Sequence, residues 1–249
     1  MSELPEAYGI GWVPFLGARI FLDSKPLVPP AAGSQTSMGG SRLRGTGINA
    51  KQFAFIPRPE TEYWVEKAIT EFKSTTGNSG GLRVLDIFAG SGAIGVAVLK
   101  HLPEALVDFG EKEMRHFPTI AKNLEANSIG PGRARIIETD VWSGIIDRYD
   151  AVLANPPYLS KSRLSRIEDS VLEHEPPEAL FADDDGFALI GRAIVGLPAH
   201  LAFRGAAWIE HEPEHAERIL KAAAESGLAA KTFTDQYGIM RFSRLRAVA

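Results

Sequence analysis

The segment Asn155-Pro156-Pro157-Tyr158 contains the residues of this sequence that are best suited to chemistry. Two consecutive prolines fix two φ angles and remove two N–H donors, and the residue before a proline is held extended. The turn therefore presents the Asn155 side chain and the Pro156 carbonyl as hydrogen-bond acceptors beside the Tyr158 ring. Two such acceptors can hold a planar NH2 group, whose lone pair is delocalised, and aim its nitrogen at an electrophilic methyl group. A sulfonium beside the aromatic ring would gain cation–π attraction.

A second candidate site is the glycine-rich turn Gly90-x-Gly92-x-x-Gly95, which lies between an apolar strand and a helix. In such a turn Gly90 permits the tight bend, Gly92 lets a ligand approach the backbone, and Gly95 lets the helix pack closely on the strand. Glu111 follows Gly92 by 19 residues, the position at which an acid accepts hydrogen bonds from a ribose diol. The ligand is therefore expected to contain adenosine.

Further acids at strand ends refine the choice of ligand. Asp86, just before the turn, would repel phosphates but attract the ammonium group of S-adenosylmethionine, although a turn-stabilising role is an alternative. Asp140, after the third strand, is placed to reach the adenine amino group or simply ends the strand. We therefore predict S-adenosylmethionine as cofactor, S-adenosylhomocysteine as product, and a binding set of Asp86, Phe88, Gly90, Gly92, Glu111, Asp140, Val141 and Asn155.

Alternating strand and helix patterns place both turns. Strands are predicted over residues 83–88, 105–111, 133–138, 149–154, 205–210, 229–235 and 238–245. Helices are predicted over 60–72, 93–102, 117–127, 187–200 and 213–226. This alternation predicts an α/β fold with a doubly wound, seven-stranded, mostly parallel sheet of Rossmann-like type, in which the last two strands are antiparallel.

The N-terminal part of the chain has a different pattern. Apolar residues between 12 and 22 predict a short β-hairpin with Gly17 near its turn. Residues 26–52 are dominated by Gly, Ser, Pro and Thr, which predicts a flexible segment: either an active-site cover or, as we favour, an inserted disordered piece. We therefore divide the chain into an N-terminal part, 1–54, and a catalytic domain, 55–249.

The overall composition excludes several classes of protein. The 249 residues contain 27 Lys and Arg against 31 Asp and Glu, a net charge of -4, which disfavours a protein that depends mainly on phosphate contacts. There is no cysteine, so disulfides, thiolate nucleophiles and cysteine zinc sites are excluded. The sequence has neither a run of 18 apolar residues nor a basic signal-peptide start. We expect a cytoplasmic monomer that does not bind membranes.

The segments 86–95 and 155–158, together with Glu111, resemble class I S-adenosylmethionine-dependent methyltransferases that act on amino nitrogens. Asn-Pro-Pro-Tyr is shared by adenine-N6 methyltransferases of DNA or RNA and by glutamine N5-methyltransferases of peptide chain release factors. Residues 55–62, and 171–180 followed by Asp185-Gly186, resemble the second family, so the likeness extends over about residues 55–245.

This resemblance implies methylation of the glutamine in the Gly-Gly-Gln loop of class 1 release factors. It implies that Asn155, Pro156 and Tyr158 are catalytic and that the substrate is bound by Arg58, Asn155, Pro156, Pro157 and Tyr158. Arg58 and Glu60 would organise the pocket, although with Pro59 and Thr61 they also suit a helix start. The acidic loop 168–185 either binds the release factor or is solvated. Members of the family commonly carry a helical N-terminal domain, for which the residues before 55 are too few.

Other functions remain as alternatives. An adenine-N6 methyltransferase needs a basic face and a target-recognition region. A nicotinamide dehydrogenase would have no use for the Asn-Pro-Pro-Tyr turn. An inactive adaptor protein that only binds the cofactor and a partner would not need that turn either. The segment 211–215, with His174, invites a metal site, but a strand-to-helix turn on the surface is the favoured interpretation because Pro213 interrupts the spacing. No metal is predicted.

Overall fold

The computed structural model describes residues 11–22, 58–75, 81–158 and 184–248. The strands in these ranges are β1 Gly11–Phe15, β2 Ala18–Leu22, β3 Arg83–Ile87, β4 Leu106–Glu111, β5 Ala134–Glu138, β6 Tyr149–Ala154, β7 Leu201–Glu210, β8 Leu228–Thr234 and β9 Met240–Ala247. The helices are α1 Pro59–Thr75, α2 Ala93–His101, α3 Phe117–Ala126, α4 Ala188–His200 and α5 Ala216–Glu225. Short 3-10 turns at Met114–His116 and Pro213–His215 lead into α3 and α5.

Seven strands form one sheet in the order β5-β4-β3-β6-β7-β9-β8. The first five strands in this order are parallel, and β9 pairs antiparallel with both β7 and β8. The predicted doubly wound sheet is confirmed, and so is the antiparallel final pair. The predicted start of β7 is wrong by four residues, because the ladder from Leu201 to Ala206 contains a bulge at which Arg204 has φ 65°.

Helices cover both faces of the sheet because successive side chains of the inner strands point to opposite faces. Val84 packs against residues of α1 and α2, while the next residue, Leu85, packs against residues of α4 and α5. The large aromatic side chains of the first face include Trp64 of α1 and Phe109 of β4, both without exposed surface. The two cores hold the carboxyl edge of the sheet rigidly.

The hairpin of β1 and β2 is confirmed and packs on α2 and α3 outside the main sheet. Asn123 of α3 accepts a hydrogen bond from the Phe21 N–H (2.5 Å) and donates to the Phe21 carbonyl (3.1 Å), as a neighbouring strand would. Asn127 does the same for Arg19 at 2.8 Å and 2.7 Å. The hairpin is thus fixed by side-chain amides rather than by a third strand.

Two predicted regions lie outside the described residues: the Gly- and Ser-rich segment 26–52, and the acidic loop apart from residues 184 and 185. The division of the chain between residues 54 and 55 stays a prediction. Within the described ranges, every helix is too short or too polar to cross a membrane.

Candidate active site

The predicted site residues gather along one edge of the sheet, because the carboxyl ends of parallel strands point the same way. Successive register partners across four neighbouring strands are Gly110, Ile87, Ala154 and Ile209. The residues that follow them therefore lie in one row along the carboxyl edge: Glu111, Phe88, Asn155 and Glu210. The chain leaves β3 towards β4 on one side and returns to β6 on the other, so the row crosses the switch point at which open α/β sheets bind ligands.

The glycine turn is packed directly onto β4. Gly90 and Gly92 have φ 55° and 76°, values that L side chains rarely adopt. A Cβ at Gly95 would lie 2.3 Å from the Phe109 ring, so α2 can approach β4 only because this residue is glycine. The predicted packing role of Gly95 is therefore confirmed. An added Cβ at Gly90 would meet nothing within 4 Å, so the outer side of the turn is open.

Asp86 lies beneath the turn without access to water. Its Oδ2 accepts a hydrogen bond of 2.8 Å from the Gly95 N–H, whereas Oδ1 is buried without a hydrogen-bond partner among the described residues. Burial raises the pKa of Asp86 to about 8, because it penalises the charged form more than the Gly95 N–H stabilises it. The contact with Gly95 gives Asp86 its turn-stabilising role, and the unpartnered Oδ1 suits a positively charged or N–H-bearing ligand.

Glu111, at the end of β4, is held against the glycine turn as a carboxylate. Oε2 accepts from the Gly90 N–H at 2.7 Å and Oε1 accepts from the Glu113 N–H at 2.8 Å. Burial opposes ionisation, but His116 at 3.6 Å and these backbone donors outweigh it and lower the pKa of Glu111. A charged acceptor therefore lies beside the open side of the turn.

Two non-glycine residues of the predicted cofactor set have left-handed backbones. Phe88 has φ 65° and Val141 has φ 61°, which is rare for a β-branched residue and costs on the order of 1–3 kcal/mol. Asp140, next to Val141, pairs with Lys112 (3.1 Å) and Arg192 (3.0 Å). Partial burial opposes it, but these two cations lower the pKa of Asp140. Strained backbone therefore follows both β3 and β5, and an ionised acid lies beside it at the end of β5.

The Asn-Pro-Pro-Tyr turn follows β6 and packs against α1 and β7. Nδ2 of Asn155 donates to the Thr61 hydroxyl at 3.3 Å, and the Tyr158 hydroxyl donates to Glu210 Oε1 at 2.9 Å. Pro156 is buried and Pro157 half-buried. Burial raises the pKa of Tyr158 well above its ordinary value, so the phenol keeps its proton. The turn is thus fixed at both ends by side chains from distant parts of the chain.

The position of Gly186 explains why glycine follows Asp185 in the segment that resembles the glutamine methyltransferase family. A Cβ at Gly186, which has φ 87°, would lie 1.9 Å from the Tyr158 carbonyl oxygen. His215 contacts the same place through a 3.0 Å hydrogen bond between its Nε2 and the Asp185 carbonyl. The end of the acidic loop therefore packs directly against the Tyr158 end of the turn.

Glu210 is a further residue of the site, one that was not predicted from the sequence. This buried carboxylate accepts 2.7 Å hydrogen bonds from the Thr61 hydroxyl and the Trp64 indole, besides the bond from Tyr158. Burial raises the pKa of Glu210, and the three donors offset it only in part. An acid ending the strand beside β6 was a visible signal, the same one that identifies Glu111. Arg58 lies close enough for its charge to oppose the rise in the pKa of Tyr158.

The 211–215 segment is a strand-to-helix turn as predicted, with Pro213 and Glu214 exposed, but its two histidines point inwards. His211 and His215 are both buried, because the turn lies between β9 and the end of the acidic loop. His211 contacts the Ser243 hydroxyl and the Glu212 carbonyl, each at 2.8 Å. Burial lowers the pKa of His211 to about 4, so the ring stays neutral. The described part of the chain contains no group of three His, Cys, Asp or Glu that could hold a metal ion; His174 lies outside it.

The fold and the two turns define the Rossmann-like class of S-adenosylmethionine-dependent methyltransferases. Residues 70–175 match the model of the methyltransferase small domain. Among solved structures, a ribosomal protein L11 methylase from Lactobacillus delbrueckii is similar over 78% of this chain and 82% of its own, with TM-score 0.56 and 16% identity. A 16S rRNA N2 methyltransferase from T. thermophilus, in complex with AdoMet and guanosine, covers 99% of this chain and 52% of its own, with TM-score 0.59 and 17% identity. These likenesses show the fold.

Sequence relatives narrow the class to one family. The release factor glutamine methyltransferase of Bordetella pertussis is 32% identical over 209 residues, which are 83% of this chain and 74% of that protein. The enzyme of the same name from Streptococcus pneumoniae is 32% identical over 71% of this chain. The chain belongs to the release factor glutamine methyltransferase family. It spans only 61% of the Streptococcus pneumoniae protein and 62% of the Lactococcus lactis one.

Proposed function

We propose that this protein transfers a methyl group from S-adenosylmethionine to the side-chain amide nitrogen of the glutamine in the Gly-Gly-Gln loop of class 1 release factors. The observation that carries the proposal is the row Glu111, Phe88, Asn155 and Glu210, which sets the glycine turn and the Asn-Pro-Pro-Tyr turn side by side. Family membership supports the choice of glutamine, since the curated relatives are named for that substrate.

The residues around the glycine turn fit the cofactor. The buried, unpartnered Oδ1 of Asp86 suits the ammonium group, and the ionised Glu111 suits the ribose diol. Asp140, kept ionised by Lys112 and Arg192, is the acceptor for the adenine amino group. Phe88, Gly90, Gly92, Val141 and Asn155 complete the proposed set. S-adenosylmethionine supplies an electrophilic methyl group on a sulfonium.

The Asn-Pro-Pro-Tyr turn would hold the substrate. Nδ2 of Asn155 is engaged by Thr61, so the group that Asn155 offers is its amide oxygen. Together with the Pro156 carbonyl, it would accept the two N–H bonds of the glutamine amide and aim the nitrogen at the methyl carbon. As the N–C bond forms and the C–S bond breaks, positive charge develops on nitrogen, and these acceptors bind the transition state more strongly than the ground state. The nitrogen then loses a proton to water.

Pro157, Tyr158 and Arg58 would border the substrate, with Tyr158 held close by Glu210 and Gly186. Tyr158 keeps its proton, so it would pack against the substrate and donate a hydrogen bond rather than act as a base. Adenine in DNA or RNA also presents an amino nitrogen, but the net charge of -4 gives no general attraction for phosphates.

In the test, the purified protein is incubated with labelled cofactor and with three candidate substrates. These are an intact class 1 release factor, a Gly-Gly-Gln peptide and adenine-containing oligonucleotides. We expect label in the release factor, located on the loop glutamine by mass spectrometry, and weaker labelling of the peptide. Methylation of the oligonucleotides alone would overturn the proposal.

We further propose that the protein acts as a monomer in the cytoplasm, where release factors work, and that the catalytic domain begins at residue 55. Light scattering on the purified protein tests the first point. Limited proteolysis tests the domain boundary, for which cleavage is expected between residues 26 and 52.

A further inference from the structure

We propose that Glu210 and Thr61 are positioning residues that determine which end of the Asn155 amide faces the substrate. Neither residue belongs to the cofactor or substrate set proposed above. Both act through a chain of hydrogen bonds that runs from Trp64 and Glu210, through the Thr61 hydroxyl, to Asn155. The effect of this orientation on turnover rests on the function proposed above, whereas the orientation itself does not.

Trp64 determines which group donates and which accepts in this series of hydrogen bonds. An indole N–H can only donate, and it lies 2.7 Å from Glu210 Oε2, so this oxygen must accept. In the carboxylate this oxygen has no proton to give, so the Thr61 hydroxyl, 2.7 Å away, donates its single proton there. Protonation of Glu210 on its other oxygen, which faces Tyr158, leaves this assignment unchanged.

The direction then passes to Asn155. With its proton given to Glu210, Thr61 can only accept from Asn155, so the end of the amide that faces it must be the NH2 group. The amide oxygen is thereby turned away from Thr61. If the amide rotated, its oxygen would face the Thr61 lone pairs and the contact would become repulsive. One amide orientation, with oxygen as the acceptor, is thus selected before substrate binds.

The elements that form this chain come from three distant parts of the sequence. Trp64 and Thr61 lie on α1, Glu210 ends β7, and Asn155 follows β6, with separations of 146, 149 and 94 residues along the three bonds. This arrangement explains the resemblance of residues 58–62 to the family signature. Thr61 does more than begin a helix, because it connects that helix to the substrate turn.

The test compares substitutions that keep the donor-to-acceptor order of these hydrogen bonds with substitutions that remove it. Thr61→Val replaces the hydroxyl by a methyl group, and Glu210→Met removes the acceptor, so both leave the Asn155 amide unoriented. We expect kcat to fall roughly tenfold or more in each, with cofactor Kd and KM within about threefold of the parent. Thr61→Ser restores a hydroxyl and should recover most of kcat.

Glu210→Gln is the decisive conservative variant. The Trp64 N–H repels the new NH2 group, so the Gln oxygen should face Trp64 and Thr61, and Tyr158 becomes the acceptor at the other end. Most of kcat should therefore survive in Glu210→Gln. If this variant is as impaired as Glu210→Met, the negative charge rather than the direction of the hydrogen bonds is what matters, and the proposal is overturned.

Thr70→Val is the matched control, because Thr70 lies exposed on the same helix and, among the described residues, its hydroxyl bonds only to the Glu66 carbonyl within α1. It should leave kcat unchanged. Thermal unfolding of each variant detects loss of fold; if Glu210→Met does not fold, Thr61→Val decides alone. A kcat of Thr61→Val within twofold of the parent would overturn the proposal.

A readout without turnover separates this inference from the proposed function. The side-chain amide protons of Asn155, assigned by their loss in Asn155→Asp, should shift in the 1H–15N NMR spectrum of Thr61→Val but not of Thr70→Val. If the protein methylates no release factor, the proposed function fails and these spectra still decide the orientation. An unshifted Asn155 amide signal in Thr61→Val would refute it.

Discussion

The two turns of the site each lie over a buried carboxylate, but the two carboxylates are held in different ways. Asp86, beneath the glycine turn, receives one hydrogen bond, from a backbone N–H only nine residues away. Glu210, beneath the Asn-Pro-Pro-Tyr turn, receives three from side chains that are 52, 146 and 149 residues away. The glycine turn on the cofactor side is therefore held by a local strand–turn–helix unit, whereas the Asn-Pro-Pro-Tyr turn on the substrate side is held by parts of the chain that lie far apart.

This difference has a consequence for stability and specificity. A local unit keeps its geometry as long as β3, β4 and α2 pack together, so the cofactor side tolerates changes elsewhere. The substrate side requires α1 and β7 to be correctly placed around Asn155. Substitutions should therefore separate cofactor affinity from turnover according to the side on which they fall.

The largest effect on turnover without an effect on cofactor affinity is expected for Asn155→Ala. It removes the acceptor for the substrate amide, and we expect kcat to fall roughly 100-fold or more, the range seen when one transition-state hydrogen bond is removed. Cofactor Kd, measured by calorimetry, should change little, because the other residues of the proposed cofactor set, including the glycine turn and Glu111, are untouched. Full activity in this variant, measured with labelled cofactor, would remove Asn155 from the mechanism.

The opposite separation is expected for Glu111→Ala. The variant removes the proposed ribose acceptor and the carboxylate that binds the Gly90 and Glu113 N–H groups. Cofactor Kd should rise roughly 30-fold, while kcat at saturating cofactor falls much less. Glu113→Ala is the matched control, because only the backbone of Glu113 contacts Glu111. An unchanged Kd in Glu111→Ala would exclude the ribose role.

Two glycine substitutions should have smaller effects, one on turnover and the other on cofactor affinity. Gly186→Ala forces a Cβ against the Tyr158 carbonyl, and Gly95→Ala forces one against the Phe109 ring. Each should lower the free energy of unfolding by roughly 1–3 kcal/mol, measured in urea. We expect Gly186→Ala to lower kcat and Gly95→Ala to raise cofactor Kd, each by roughly tenfold.

Gly130→Ala serves as the control for both glycine variants, since a Cβ there meets nothing within 4 Å. If Gly186→Ala raised cofactor Kd as much as Gly95→Ala does, the two sides would not be independent.

The same contrast explains which features could be predicted from sequence. Strand and helix periods, the glycine turn and the spacing to Glu111 are local signals, and the structure places each of these residues at the predicted strand ends. The strand-end position of Glu210 was a visible signal, but its hydrogen bonds were not, because their donors are far away in the chain. For the same reason Thr61 was expected only to serve a helix start. The burial of His211 and His215 within an otherwise surface turn could not be predicted, because polarity alone does not indicate what packs over a side chain.

The smallest effect concerns pH and Asp86 in the cofactor-free protein. The pKa of Asp86 is about 8 in the folded protein and near 3.8 unfolded, so the folded state binds the extra proton between these values. Its contribution to stability is present below about pH 4 and is lost as pH rises through about 8. His211 has the opposite sign: its pKa is about 4 folded against 6.5 unfolded, so its contribution is lost only as pH falls below about 6.5.

Above pH 6.5, therefore, Asp86 acts without opposition from His211. Between pH 6.5 and 8 we expect the free energy of unfolding of the parent to fall by about 1.5 kcal/mol more than that of Asp86→Asn, which cannot titrate. Urea unfolding of both proteins across this interval measures the difference, and groups common to both cancel. Parallel pH profiles would mean that Asp86 is already ionised beneath the turn.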